Sequence, residues 1–246
     1  MPMFPFNDWC DEAIYQDEMA RMHKITPKQD VIDSLYDEFK RISNDPSYKP
    51  QLTKEQRHWL LVALSGQIVA LSMELTDDLA FVCEAYLKSI KNRDKKVVEY
   101  IANLERQDAQ DFFVRVARNI TEAVEAVGLD PTACSSDQND RYRSLFEQIQ
   151  EVRDHFWPWY NGYKHGQYAT PIMVGGGTPL EKWGLYLIPK KLERDALNRV
   201  HTKGKERFID TVRFVDEFVK LAQIAVQLWD ETRKRQYPKV FGKVLV

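Results

Sequence analysis

Trp59-Leu60-Leu61-Val62-Ala63-Leu64-Ser65-Gly66-Gln67-Ile68-Val69-Ala70-Leu71-Ser72-Met73-Glu74-Leu75 is the stretch whose reading decides the fold. Leu60, Leu64, Ile68, Leu71 and Leu75 recur at helical spacing and line one face. Leu61, Val62 and Val69 make a second side apolar, the mark of a central helix contacted by several neighbours. Its length approaches that of a membrane span, but Ser65, Gly66, Gln67, Ser72 and Glu74 interrupt it, so a buried core helix is expected and no membrane partner. Upstream, Thr53-Lys54-Glu55-Gln56 is a capping box, in which each of the two polar side chains can satisfy an otherwise orphaned backbone donor. Downstream, Leu79, Val82, Tyr86 and Ile90 continue the period, with a kink expected near Thr76 and Asp77.

Working outward, a first helix is expected from Asp8 or Asp11 to about Lys24. A second opens with Thr26 as N-cap and Pro27 at the first helical position, carries Val31, Leu35, Phe39 and Ile42, and is ended by Asn44, Asp45, Pro46 and Pro50. Beyond the central helix, Val97–Leu104 and Ala109–Val127 read as shorter helices, the latter closed by Gly128 as a left-handed cap and by Pro131. Thr132 to Asp140 is the most loop-like stretch. The next helix carries Tyr142, Leu145, Ile149, Val152 and Phe156 and reaches Pro158.

There the period changes. Pro171–Val174 and Trp183–Ile188 read as two strands around Gly175, Gly176 and Gly177, and Pro189 closes the second. A last long helix places Phe208, Val212, Val215, Val219, Ala222, Val226 and Trp229 on one face. The expected fold class is all-α: a helical bundle with a short β-hairpin inserted before the last long helix. One domain over residues 1–246 is expected, with 130–140 the place for any subdomain break.

Apolar residues make up 43% of the chain and the net charge is −2, which excludes a globally basic nucleic-acid binder while leaving room for a local basic patch. Cys10, Cys83 and Cys134 are odd in number and form no CxxC pair, and the start of the chain lacks a basic segment before its short apolar run. Both features point to a reducing, cytoplasmic address.

Several familiar chemistries are set aside. The three glycines lead into a strand through Thr178 and Pro179, whereas a phosphate loop leads into a helix with Lys and Ser/Thr at fixed offsets. Glu55 and His58 form a single Glu-x-x-His where a carboxylate-bridged di-metal bundle needs two. No metal or other cofactor is expected. Lys190, Lys191, Arg194, Arg199, Lys203 and Lys205 concentrate positive charge that could hold a phosphate backbone by counterion release; the plain alternative is a solvated helix face.

The most informative segment is Arg153 to Gly166, where Trp157, Trp159, Tyr160 and Tyr163 surround a polar series. With Pro158 and Gly162 breaking the helix, Lys164 and His165 should sit near its end above packed aromatic rings. A histidine exchanges protons near neutral pH, and Arg153 and Lys164 could stabilise charge developing on a phosphate, a minimal kit for metal-free RNA cleavage. An aromatic packing corner with one satisfied histidine accounts for the same residues.

Tyr160-Asn161-Gly162-Tyr163-Lys164-His165-Gly166, between a helix carrying an Arg and a hairpin followed by a long helix, resembles the Tyr-Asn-x-x-Lys-His-Gly segment of HEPN-like helical proteins. That resemblance implies a toxin, abortive-infection or RNA-processing protein. It also implies a homodimer, RNA as ligand, and Arg153, Asn161, Lys164 and His165 at a metal-independent ribonuclease site. In active members the Arg precedes the His by four to six intervening residues; here the corresponding positions hold Pro158, Trp159 and Tyr160. Two readings follow: an RNA-binding protein or degenerate ribonuclease in a defence or stress pathway, and a non-catalytic protein-interaction module.

Overall fold

The computed structural model describes residues 27–91, 106–164, 169–174, 182–187, 192–194, 200–202 and 208–236. The expected helices at Asp8–Lys24 and Val97–Leu104 lie outside them. The chain is mostly helical with a small antiparallel sheet. Its elements are α1 (27–44), α2 (Lys54–Lys91), α3 (Arg106–Arg118), α4 (Ile120–Ala126), α5 (Ser136–Lys164), β1 (Ala169–Val174), β2 (Lys182–Leu187), β3 (Leu192–Arg194), β4 (Val200–Thr202), β5 (Phe208–Ile209) and α6 (Thr211–Gln236).

Local punctuation sets most helix ends. Thr53 N–H donates to Gln56 Oε1 at 2.9 Å and Gln56 N–H to Thr53 Oγ1 at 3.2 Å, so the capping box forms as read. α2 then runs 38 residues without a break at Thr76 or Asp77. Where one helix was expected over Ala109–Val127 there are two, because Asn119 leaves helical geometry and caps α4 through Glu122 N–H at 3.3 Å. Gly128, at φ 78°, closes α4: its N–H reaches Glu125 O and that of Leu129 reaches Val124 O, the Schellman pattern.

Thr132 to Asp140 is not all loop. A second capping box, Ser135 with Gln138, starts α5 at Ser136. α5 also does not stop at Pro158 but continues through Gly162 to Lys164. An interior proline costs roughly 3 kcal/mol, while Phe156, Trp159 and Tyr160 are all buried here at roughly 1.5–3 kcal/mol for each side chain of that class. Burial outweighs the break.

By backbone contacts the chain divides into two units. The first comprises residues 1–30, 74–151 and 220–246, with the 130–140 segment wholly inside it. Its core gathers the second half of α2, α3, α4, the first half of α5 and the second half of α6 around Phe112, Phe113 and Phe146, whose rings meet edge-on or tilted at 5.1–6.3 Å. At the edge of this core Arg115 bridges the buried carboxylate of Glu84 and that of Glu122. Burial works against the Arg115 charge, but the two carboxylates outweigh it and hold its pKa above the usual value. Cys83 is buried, and burial pushes its thiol up to about 12, so it stays a neutral packing group.

The second unit comprises residues 31–73 and 152–219. In α1 the buried stripe is Ile32, Phe39 and Ile42 with Leu35 half-buried, whereas Val31, expected in the core, is 46% exposed. The sheet has the order β1-β2-β5, antiparallel throughout. β1 and β2 pair from Ala169 opposite Leu187 to Val174 opposite Lys182, the hairpin read from the sequence. Pro171 sits in β1, an edge strand, where a missing N–H is tolerated. Phe208, expected in the last helix, belongs instead to β5 and pairs with Tyr186. The helix starts after it, with Asp210 accepting from Arg213 N–H at 3.2 Å. β3 and β4 form a further hairpin, so the basic stretch from Lys190 to Arg207 is not a helix face at its described residues.

The loop from α1 to α2 is organised by Arg57, whose guanidinium donates to the backbone carbonyls of Ile42, Asp45, Pro46, Tyr48 and Lys49. One planar fork thereby satisfies the end of α1 and the turn after it. Arg57→Ala should cost about 1–3 kcal/mol, because partly buried carbonyls lose their donor. Arg57→Lys should recover only part of that, since a single ammonium cannot span the same acceptors. Denaturant melts of both variants check the order; equal stability of Arg57→Ala and the parent would contradict it.

Candidate functional site

The candidate segment forms the last three turns of α5. Arg153, Trp157 and Tyr160 follow one another at helical spacing and so share a face. Arg153 is 3% exposed, with its guanidinium carbon 5.0 Å from the centroid of the Trp157 ring. Trp157 in turn packs against Tyr160 at 5.7 Å, and Tyr160 is 1% exposed. The arginine expected to meet a phosphate is therefore folded into an aromatic layer, and its charge is met from the ring face.

A second pair lies off that face. Trp159, 4% exposed, stacks on Tyr163 with ring centroids 5.3 Å apart and planes 9° from parallel. Tyr163 is 39% exposed and forms the outer plate of the stack. Gly162 is buried and Asn161 half-buried between them in sequence. The expectation that aromatic rings pack beneath the end of this helix is met by Trp159 and Tyr160, with the helix unbroken through Pro158 and Gly162.

Lys164 is the last residue of α5, eleven residues on from Arg153. At 1.5 Å per residue that is a rise of about 16 Å between the two backbone positions, three turns of the helix and not one. His165 lies outside the described residues, as do Lys190, Lys191, Arg199, Lys203 and Lys205; Arg194 is the final residue of β3. The sequence-predicted groups are thus placed as follows: Arg153 buried, Asn161 half-buried, Lys164 at the helix end.

The Glu55 and His58 side chains have structural partners. Glu55 accepts from Trp59 Nε1 at 3.3 Å, and the His58 ring stacks on Trp183 of β2, centroids 4.6 Å apart at 15°. Trp59 meets the same indole edge-on at 4.7 Å. Among the described residues no group of three or more His, Cys, Asp or Glu is placed to hold a metal ion. Residues 54–88 of α2 are long and apolar enough to cross a membrane by length and composition, and 67% of the most apolar window is buried inside the protein, as in a core helix.

No protein-family model, no curated protein and no solved structure matches the chain.

The placement of Arg153 has a measurable consequence. Arg153→Ala should lower stability by about 1–3 kcal/mol, the cost of stripping a buried polar group from its partners, whereas an arginine standing free in a cleft would change it by no more than about 0.5 kcal/mol. Chemical denaturation of the variant reads the difference directly, and a neutral result would place the guanidinium in the open.

Proposed function

We propose that this chain is a non-catalytic helical interaction module, in which the end of α5 is a rigid corner. The observation that carries the reading is the burial of Arg153 against Trp157, because a group that stabilises a transition state must be reachable by substrate. The spacing adds to it. The backbone positions of Arg153 and Lys164 lie about 16 Å apart along one helix, three turns and not one. What the corner turns outward is the Tyr163 ring, backed by Trp159 and so held in one orientation. Rigid aromatic side chains are enriched where proteins meet partners.

A second reading is favoured by a different observation. Tyr160 to Lys164 ends a long helix that an antiparallel hairpin and another long helix follow, the order in which the HEPN-like segment is set. On this reading the chain is a HEPN-like RNA-binding protein or degenerate ribonuclease, homodimeric and cytoplasmic, acting in a defence or stress pathway.

RNA cleavage separates the two. The full-length protein, incubated with single-stranded and hairpin RNA in EDTA, should release no products above buffer, and His165→Ala should leave that baseline unchanged. Cleavage by the parent that His165→Ala reduces by about a hundredfold, the usual size of a lost general acid or base, would overturn the module and establish the second reading.

A further inference from the structure

We propose that Trp59, Trp183 and Glu55 form a binding corner for a methylated ammonium cation, the group carried by choline and by trimethyllysine. The proposal stands apart from the function argued above and uses none of its residues. Two indoles meet here, one from α2 and one from β2, with ring centroids 4.7 Å apart and planes 74° from parallel. Both residues are half-buried, so each keeps part of its surface in solvent. Two indoles set this way make a corner, and indole is the ring whose face attracts a cation most strongly.

The corner is held in place and carries charge. The His58 imidazole stacks on Trp183 at 4.6 Å and 15°, which fixes the plane of that indole. Trp59 carries no parallel ring and no cation among the described residues. Its Nε1–H donates to Glu55 Oε1 at 3.3 Å, which seats a carboxylate at the rim of the indole. The other oxygen, Oε2, has no hydrogen-bond or ion-pair partner among the described residues, so a negative charge stands unpaired beside the rings. Met173, directly opposite Trp183 and on the same face of the hairpin, is 43% exposed and adds a thioether to the apolar rim.

The same features select the kind of cation. A primary ammonium is strongly hydrated and needs acceptors for three N–H groups, which one free carboxylate oxygen does not supply. A trimethylammonium group donates no hydrogen bond and spreads its charge over methyl groups, so ring faces and a single carboxylate suffice. Neighbouring positive charge is directed elsewhere. Arg57 is turned onto the loop carbonyls, Lys182 alternates with Trp183 and so points to the other face of β2, and exposed Lys54 is screened by solvent.

Tryptophan emission of the full chain, titrated at constant ionic strength with choline and with its uncharged isostere dimethylbutanol, tests the site. Choline should change the emission saturably at millimolar concentration. The isostere should bind about two- to fivefold more weakly, the size of a partly exposed cation–π contact. Glu55→Gln, which keeps an oxygen for the Trp59 N–H, should weaken choline by a similar factor and leave the isostere unchanged. No saturable change with choline, equal binding of the isostere, or undiminished choline binding by Glu55→Gln overturns the proposal. Trp59→Leu should abolish the response; a response retained in that variant places binding at another tryptophan and overturns the corner as well. If Trp59→Leu does not fold, the Glu55→Gln comparison decides. A peptide carrying one trimethyllysine, run beside its unmethylated form, then separates the two sources of the cation. Tighter binding than choline, lost without the methyl groups, supports the corner with a partner chain as its ligand; binding no tighter than choline supports it with a free small molecule.

Discussion

The close approach at Ser65 and Gly66 of α2 is the constraint on which the second unit depends. Ser65 and Thr211 are both fully buried, and their hydroxyls meet at 2.7 Å, fixing the start of α6 on the central helix. One residue on, Gly66 admits Leu185: a Cβ there would come within 2.5 Å of Leu185 Cδ1. Leu185 pairs with Ile209, and Ile209 is followed by Asp210, the cap of α6. Sheet and helix are thus tied to two adjacent positions of α2. Phe156, Phe214 and Phe218 then close the space between α5 and α6 with ring contacts of 4.7–5.2 Å.

Features governed by near neighbours in the chain were legible. The Thr53–Gln56 box, the Gly128 cap and the two strands around the glycines each depend on residues a few positions apart, and each forms. The equivalent box at Ser135–Gln138 carries the same signal but lies within a run of small polar residues that reads as loop. Other departures come from distant partners. Phe208 continues the apolar spacing of α6, yet its backbone is claimed by Tyr186 in β2. Pro158 is a valid stop locally, but buried rings on either side of it carry α5 onward.

The same division runs through the candidate site. That an aromatic-rich corner closes α5 could be read from composition alone. That Arg153 would be buried under Trp157 could not, because an arginine one turn from a tryptophan is equally compatible with solvent. His58 and Trp183 were separated by 125 positions, so nothing in the local pattern announced their stack; only the odd placement of a histidine beside Trp59 at the start of an apolar helix hinted at an aromatic setting. Arg57 was hidden for a different reason: its acceptors are backbone carbonyls, which leave no mark in the side-chain sequence.

Gly184 gives the most direct access to this account, because it stands where β2 meets the chain entering α6. A Cβ at Gly184 would lie 1.9 Å from the Ile209 carbonyl oxygen and 2.8 Å from its carbon, so the obstruction is backbone and cannot be relieved by a side-chain rotation. Amide hydrogen exchange of Gly184→Ala, compared with the parent, should show protection lost at Leu185, Ile209 and the first turn of α6, with overall stability lower by about 1–3 kcal/mol, as for an overpacked core. Unchanged protection across β2, β5 and the start of α6 would contradict the claim that the sheet and the last helix are seated together on Ser65 and Gly66.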